Sequence, residues 1–197
     1  MDKITIETYN SMATQYDEET VEFWDLFPRT FFDKFIRLPG KKVLDVGSGP
    51  GRDGLILKQH GLDVTCLDAS KAMIKMCSKR GLRTVLGDFN EMPFKDESFD
   101  LVWAYTSLLH TPKSSIEQPL NEVHRILRKG GSLGVGMIEG NFEGYRSSFG
   151  GQKKRWFSFY TTAELTTLFS KHGFVVTSFE SFKPSTRNYL NFIVRKL

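Results

Sequence analysis

The densest chemistry in the chain lies in Val43-Leu44-Asp45-Val46-Gly47-Ser48-Gly49-Pro50-Gly51, an apolar run and a carboxylate followed by three glycines in five residues. Glycine is needed where the backbone takes positive φ or touches a ligand, so the segment reads as a strand that turns tightly into a helix N-terminus. Gly49-Pro50-Gly51-Arg52-Asp53-Gly54 also fits G-x-G-x-x-G, with Asp68 nineteen residues beyond Gly49, which is the pattern of a dinucleotide site. The register argues against that ligand. A dinucleotide turn begins at the strand's end, where Gly47 already stands, and Asp45 would face a pyrophosphate. A ligand carrying positive charge suits Asp45 better. Asp68 closes Leu67-Asp68-Ala69-Ser70 and either accepts from both hydroxyls of a ribose or caps the next helix. Gly87-Asp88-Phe89 repeats the arrangement: the acid can accept from an exocyclic amine while Phe89 or Met73 packs on the face of a base.

Elements must hold these residues in place. Residues 3–37 read as irregular helix, because Phe23, Leu26, Phe27, Phe31, Phe35 and Ile36 recur at threes and fours, interrupted by Pro28 and stopped by Leu38-Pro39-Gly40. Strands are predicted at 41–46, 62–67, 82–86, 99–105 and 132–138. Helices are predicted at 55–60, at 70–79 with Ser70 as N-cap, and at 115–127, the last ended by Gly130-Gly131. This alternation means a parallel sheet with helices on both faces. Gly140 to Gly151 reads as a loop with four glycines. Thr161-Thr162-Ala163-Glu164 reads as a capping box for a helix running to Lys171 and closed by Gly173. The strands predicted at 174–182 and 189–194 are joined too closely for a helical crossover, so they form an antiparallel hairpin. The expected architecture is a doubly wound, mostly parallel α/β sheet ending in that hairpin. It forms one domain over 1–197, with a helical cap at 1–38 and a substrate lid at 139–160.

Composition narrows the class. A chain of 197 residues, 40% hydrophobic and 25% charged, suits one domain that buries roughly 70% of its unfolded surface. Its 17 Phe ask for a core or a pocket, which excludes disorder. No run approaches the roughly 20 apolar residues of a membrane span. Met1-Asp2-Lys3-Ile4-Thr5 lacks the basic flank and apolar stretch of a secretory signal, and Cys66 and Cys77 make neither a disulfide framework nor a metal motif. A reducing cytoplasm is the expected compartment. The net charge of +4 permits an anionic partner without requiring one. The dense basic run Lys153-Lys154-Arg155 is short enough to read as solvated surface.

Together these motifs resemble the class I methyltransferases that use S-adenosylmethionine (SAM), over roughly residues 9–197. The family's glycine motif is matched by Val43 to Gly51, its ribose acid by Asp68 and its adenine acid by Asp88. Its fourth-strand motif is matched by Phe99-Asp100-Leu101-Val102-Trp103-Ala104, and its Pro/Lys-Gly-Gly turn by Leu127-Arg128-Lys129-Gly130-Gly131. The resemblance implies a seven-stranded sheet with its last strand antiparallel, SAM as cofactor and S-adenosylhomocysteine as product. It implies a cofactor site of Asp45, Gly47, Ser48, Gly49, Gly51, Arg52, Asp68, Ala69, Met73, Asp88, Phe89, Ala104 and Tyr9, with no metal. Tyr9-Asn10-Ser11-Met12-Ala13-Thr14-Gln15-Tyr16-Asp17 is similar to the opening of several subgroups. That helix either lies over the cofactor or packs on the sheet through Tyr9, Met12 and Tyr16. Arg52 departs from the generic form, and either reaches the methionine carboxylate or faces solvent.

In such a fold Tyr105-Thr106-Ser107-Leu108-Leu109-His110-Thr111-Pro112, after the fourth strand, points toward the transferable methyl. His110 is the candidate base, or else an ordinary loop histidine, and Tyr16 is the second acceptor-side residue. Phe142, Tyr145, Phe149, Trp156, Phe157, Phe159 and Tyr160 form a lid over an apolar acceptor or pack against Phe23, Trp24 and Phe27. No Asn-Pro-Pro-Tyr-type tetrapeptide follows the fourth strand and no RNA-binding module is appended, so a small molecule is the expected acceptor. Arg155-Trp156-Phe157-Ser158-Phe159-Tyr160 is similar to a segment of wobble-uridine methyltransferases, which makes tRNA the second candidate. A tellurite-type acceptor and a SAM-binding partner subunit without turnover are further readings. No membrane partner is expected, and the oligomeric state is open.

Overall fold

Val43, Leu44 and Val46 carry no polar face, and β1 (Lys42–Val46) is accordingly buried on both sides beyond its first residue. β4 (Phe99–Tyr105) is likewise buried apart from the half-buried Asp100, as a central parallel strand requires. The computed structural model describes residues 2–26, 29–151, 153–184 and 186–197; Phe27 and Pro28 of the predicted stripe and Ser185 of the predicted hairpin turn lie outside the described residues. Five further strands complete the sheet: β2 (Asp63–Asp68), β3 (Arg83–Leu86), β5 (Leu127–Ile138), β8 (Phe174–Phe182) and β9 (Tyr189–Lys196). Their order is β3-β2-β1-β4-β5-β9-β8, with β9 antiparallel to both of its neighbours and every other pairing parallel. Strand order reverses between β1 and β4, where an open α/β sheet leaves a crevice at its carboxyl ends.

Two cores hold the layers. On one face, α4 (Thr30–Ile36), α5 (Arg52–Gln59) and α6 (Lys71–Lys79) bury Phe31, Phe32, Phe35, Leu57 and Cys77 against Val64 and Trp103. Trp103 is fully buried, with the rings of Phe31, Phe32 and Phe35 at 5.2, 4.9 and 4.7 Å. Each such phenylalanine contributes about 1.5–3 kcal/mol by burial. On the other face, α7 (Glu117–Ile126) and α8 (Thr162–Lys171) set Leu120, Val123, Leu165 and Phe169 against Val102 and Val135. The predicted caps are present: Ser70 Oγ accepts from the Met73 N–H at 3.3 Å, and Thr161 and Glu164 form the reciprocal box. Among the described residues no helix is long and apolar enough to cross a membrane.

Three expectations are corrected. The helix predicted from 55 starts at Arg52, directly after Gly51 at φ +90°. Gly130-Gly131 do not end α7, which stops at Ile126. They lie in a bulge of β5, where Leu127 pairs with Phe99 and Ser132 with Leu101. The segment predicted as a glycine loop instead contributes to a separate antiparallel hairpin of β6 (Glu143–Ser148) and β7 (Lys153–Ser158).

Candidate functional site

The turn after β1 is shaped by its own neighbours before any ligand is considered. The N–H groups of Gly47 and Ser48 both donate to the Leu67 carbonyl, at 2.8 and 3.1 Å. Gly47 has φ +67°, and a Cβ there would meet Ser107 Cβ at 2.3 Å, so no other residue fits. A cleft of about 500 Å³, its open mouth included, runs along the strand ends. Gly47, Gly49, Asp68, Ala69 and Met73 form one wall, and Gly87 and Phe89 another. Tyr105, Thr106 and Ser107 line it from the end of β4. Thr106 sits at φ +54°, a strained conformation for a β-branched residue. Tyr9 of α1 (Lys3–Ser11), Tyr16 of α2 (Ala13–Thr20) and His110 close the cleft.

Two carboxylates flank the turn with opposite degrees of satisfaction. Asp68 accepts the Gly49 N–H through Oδ2 at 2.9 Å and the Ser70 N–H through Oδ1 at 2.8 Å. Burial pushes its acid up to about 6, with the backbone N–H donors holding it back. Asp45 is only 2% exposed, and its Oδ2 has no hydrogen-bond partner among the described residues. Burial first, and then the charge of Asp53, push the Asp45 acid well above the usual carboxylate range. Asp53 accepts from Arg52 Nε at 2.7 Å and from the indoles of Trp24 and Trp103 at 2.8 Å each. Burial alone would raise Asp53, but the Arg52 guanidinium overcomes it and holds the acid low. Arg52 therefore does not face solvent: it lies 4.4 Å over the Phe23 ring.

A second cavity, of about 700 Å³ with its opening, adjoins the first and shares Tyr9, Tyr16, Thr106 and His110 with it. His110 Nδ1 is 2.5 Å from the Trp156 carbonyl, which can only accept, so Nδ1 carries the proton and Nε2 accepts from the Tyr9 hydroxyl at 2.8 Å. The Tyr9 oxygen in turn accepts from Arg155 Nη1 at 2.7 Å. Burial, and then the Arg155 charge, lower His110 to about 3. The imidazole is neutral and both nitrogens are engaged.

The remaining predicted residues are spread around this centre. Asp45, Ser48 and Arg52 line a smaller cavity of about 310 Å³ behind the turn, together with Tyr16, Gly47 and Gly49. Asp88 accepts the Asn90 N–H at 2.9 Å and stands between two residues that line the cleft. Ala104 is buried in β4, next to the lining residue Tyr105, and Gly51 packs on Cys77 and Leu82 instead. Asp53, Trp24, Trp103 and Arg155 were not anticipated at the site. The Asp53 bonds to Trp24 and Trp103 and the Arg155 bond to Tyr9 span 29, 50 and 146 positions, and no local spacing announces them.

The family described as "Methyltransferase domain" matches residues 44–135, the span from β1 to β5 that carries the turn and both cleft walls. Residues 44–135 thus carry a methyltransferase domain of the class I, SAM-dependent kind. It is 41% identical over 108 residues to the sterol 24-C-methyltransferase ERG6B of Gibberella zeae, covering 49% of this chain and 27% of that protein. It is 36% identical over 111 residues to the sarcosine/dimethylglycine N-methyltransferase of Aphanothece halophytica, covering 51% of this chain and 39% of that protein. The chain thus spans well under half the length of these curated relatives. Its fold is that of the Burkholderia thailandensis 1,6-didemethyltoxoflavin-N1-methyltransferase, crystallised with 1,6-didemethyltoxoflavin and S-adenosylhomocysteine. The TM-score is 0.78 at 19% identity, over 98% of this chain and 87% of that one. SAM is the cofactor of the family. The site of this methyltransferase domain fits it by its own chemistry, because a buried carboxylate oxygen without a partner calls for a cationic group, and SAM carries an ammonium and a sulfonium.

Proposed function

We propose that the chain transfers a methyl group from SAM to a small-molecule acceptor. The observation that carries this reading is Asp45, an acid buried at the base of the glycine turn with one oxygen unsatisfied. In this reading Asp68 accepts from the ribose hydroxyls with Ala69 beside it, and Met73 and Phe89 hold the adenine, with Asp88 near its amine. Gly47, Ser48, Gly49 and Gly51 shape the turn, Ala104 backs it, and Asp45 and Arg52 serve the methionine end. Tyr9, Tyr16 and His110 stand on the acceptor side. Bound there, SAM supplies a sulfonium methyl that an acceptor electron pair takes as the carbon–sulfur bond breaks, its electrons staying on sulfur to leave S-adenosylhomocysteine.

The protein's contribution is then positioning and exclusion of water, with orientation alone worth roughly 7–11 kcal/mol. His110 acts by fixing Tyr9 and not by taking a proton. The first half of the 1–38 cap closes the cleft, and the 139–160 hairpin braces it, within one domain over 1–197. The curated relatives are named for small acceptors, a sterol in one case and sarcosine or dimethylglycine in another, which supports a small molecule here. The test is incubation of the pure protein with methyl-labelled SAM and, separately, the small-molecule and RNA fractions of a cell extract. Label in the small-molecule fraction is expected. Label in tRNA would replace the acceptor, and label in neither fraction would leave a SAM-binding partner without turnover.

A further inference from the structure

Resting on that methyltransferase reading, we infer that the acceptor carries an oxyanion, of carboxylate or phosphonate type, on an apolar body, and that Arg155 binds the oxyanion. The basic run is not one solvated surface. Lys153 and Lys154 are exposed, whereas Arg155 turns inward from β7 and lines the second cavity. Its guanidinium lies 5.1, 5.0 and 5.2 Å from the ring centres of Tyr9, Phe149 and Phe157. It donates from Nε to Ser148 Oγ at 2.9 Å and from Nη1 to the Tyr9 oxygen at 2.7 Å, both uncharged acceptors. Among the described residues it has no ion-pair partner, and its Nη2 makes no hydrogen bond to the protein.

A guanidinium brings five N–H donors in a planar fork suited to an oxyanion, so this one keeps donors to offer inside the cavity. The surrounding charges point the same way. Directly across the hairpin stands Arg146, its exposed guanidinium over the Phe142 and Phe159 rings, so the facing strand position offers Arg155 no acid. Arg187 lines the same cavity at its exposed mouth, while Arg52 is already matched by Asp53. Among the described residues the one acid on the wall is Glu19, which accepts from Gln15 at 2.7 Å. Leu109, Ile138 and Phe157 supply the apolar surface for the remainder of the molecule. A neutral His110 with both nitrogens engaged fits an acceptor of this class, which needs no general base to make it anionic.

The test is titration calorimetry on the full chain in the presence of S-adenosylhomocysteine, with four matched probes: 3-phenylpropionate, 2-phenylethylphosphonate, 3-phenylpropionamide and 3-phenylpropylamine. At least one acid should bind one-to-one and tenfold or more tighter than the amide, and the amine should bind weakest; which acid wins names the head group. Arg155→Gln should bring the acid down to the amide's affinity, Arg155→Lys should keep part of the preference, and Arg187→Gln should lose less than Arg155→Gln. Equal binding of acid and amide, absence of acid binding, or an acid preference that survives Arg155→Gln would each overturn the inference and leave Arg155 as a strut between hairpin and α1. S-adenosylhomocysteine affinity, measured first, separates the two readings. Its loss in the wild-type chain overturns the methyltransferase proposal, whereas its presence without acid preference overturns only this one.

Discussion

His110 offers Nε2 to the Tyr9 hydroxyl and Nδ1–H to the Trp156 carbonyl, so neither nitrogen can take an acceptor proton while Tyr9 stays in place. With its cation disfavoured down to about pH 3, it is a weak base as well as an occupied one. His110→Ala should therefore lower turnover less than tenfold, against the 10²–10⁴ lost with a true general base. It should cost about 1–3 kcal/mol of stability through the stranded Trp156 carbonyl and Tyr9 hydroxyl. Turnover and thermal midpoint on one variant decide this: a hundredfold loss with a pH profile breaking near 6–7 would restore the base. Asp68 titrates where the effect can be read. Its folded acid is raised to about 6, so its contribution to stability is fully present below about pH 4 and is lost as pH rises through 6. Cofactor binding runs oppositely, since ribose hydroxyls donate to the ionised form. Affinity for SAM should climb between pH 5 and 7 in the wild type, and Asp68→Asn should remove the part of that climb centred near 6. A profile unchanged by the substitution would leave Asp68 as a helix cap.

At the scale of elements, α1 is held from both sides. Asn10 Oδ1 accepts from Ser70 Oγ at 2.8 Å and from the Ala72 N–H at 3.1 Å, fastening it to α6. On the other flank Thr5 Oγ1 accepts the Trp156 N–H at 2.9 Å and Thr8 Oγ1 donates to the Lys154 carbonyl at 2.7 Å, fastening it to β7. A nine-residue helix has little stability of its own, so these contacts decide whether it stays over the cleft. Thr5→Val, nearly equal in shape, strands the Trp156 N–H. Hydrogen exchange should quicken in α1 and β7 while β1 and β4 stay protected, and SAM should dissociate faster; uniform protection would show that the clamp is not what closes the site. The same contacts explain what was readable from sequence. β1 and β4 announce themselves as short apolar runs, and Ser70 and Thr161 as caps, because their signals are local. The hairpin does not, since β6 sets only Tyr145 among glycine, serine and charged residues, and β7 gains its cover from a helix over a hundred residues away. Asp53 was illegible for the same reason, its indole partners being 29 and 50 positions distant.

Over the whole molecule, the cleft occupies the carboxyl ends of β1 to β4 at the switch point, and the N-terminal helices roof it. The Asp45 carboxyl lies beside this crevice, costing stability for as long as no cation answers it. A ligand that binds only the folded chain stabilises it by about 2.7 kcal/mol at a hundred times its dissociation constant. For a domain of this size that corresponds to a rise in melting temperature of about 5–10 °C. Scanning fluorimetry should show this rise with SAM and S-adenosylhomocysteine, and none with NAD, whose pyrophosphate would meet the acid; a shift with NAD alone would overturn the assignment of the turn. Asp45→Asn makes the argument sharper, because it keeps the shape while removing the carboxyl that would ionise against a bound cation. Without ligand the variant should melt at or above the wild-type temperature, since a poorly tolerated carboxyl is gone. With S-adenosylhomocysteine its rise should shrink by several degrees, because the amide no longer answers the ammonium. If the variant instead melts lower without ligand and keeps the full rise, Asp45 serves the fold and the cationic end of the cofactor is held elsewhere.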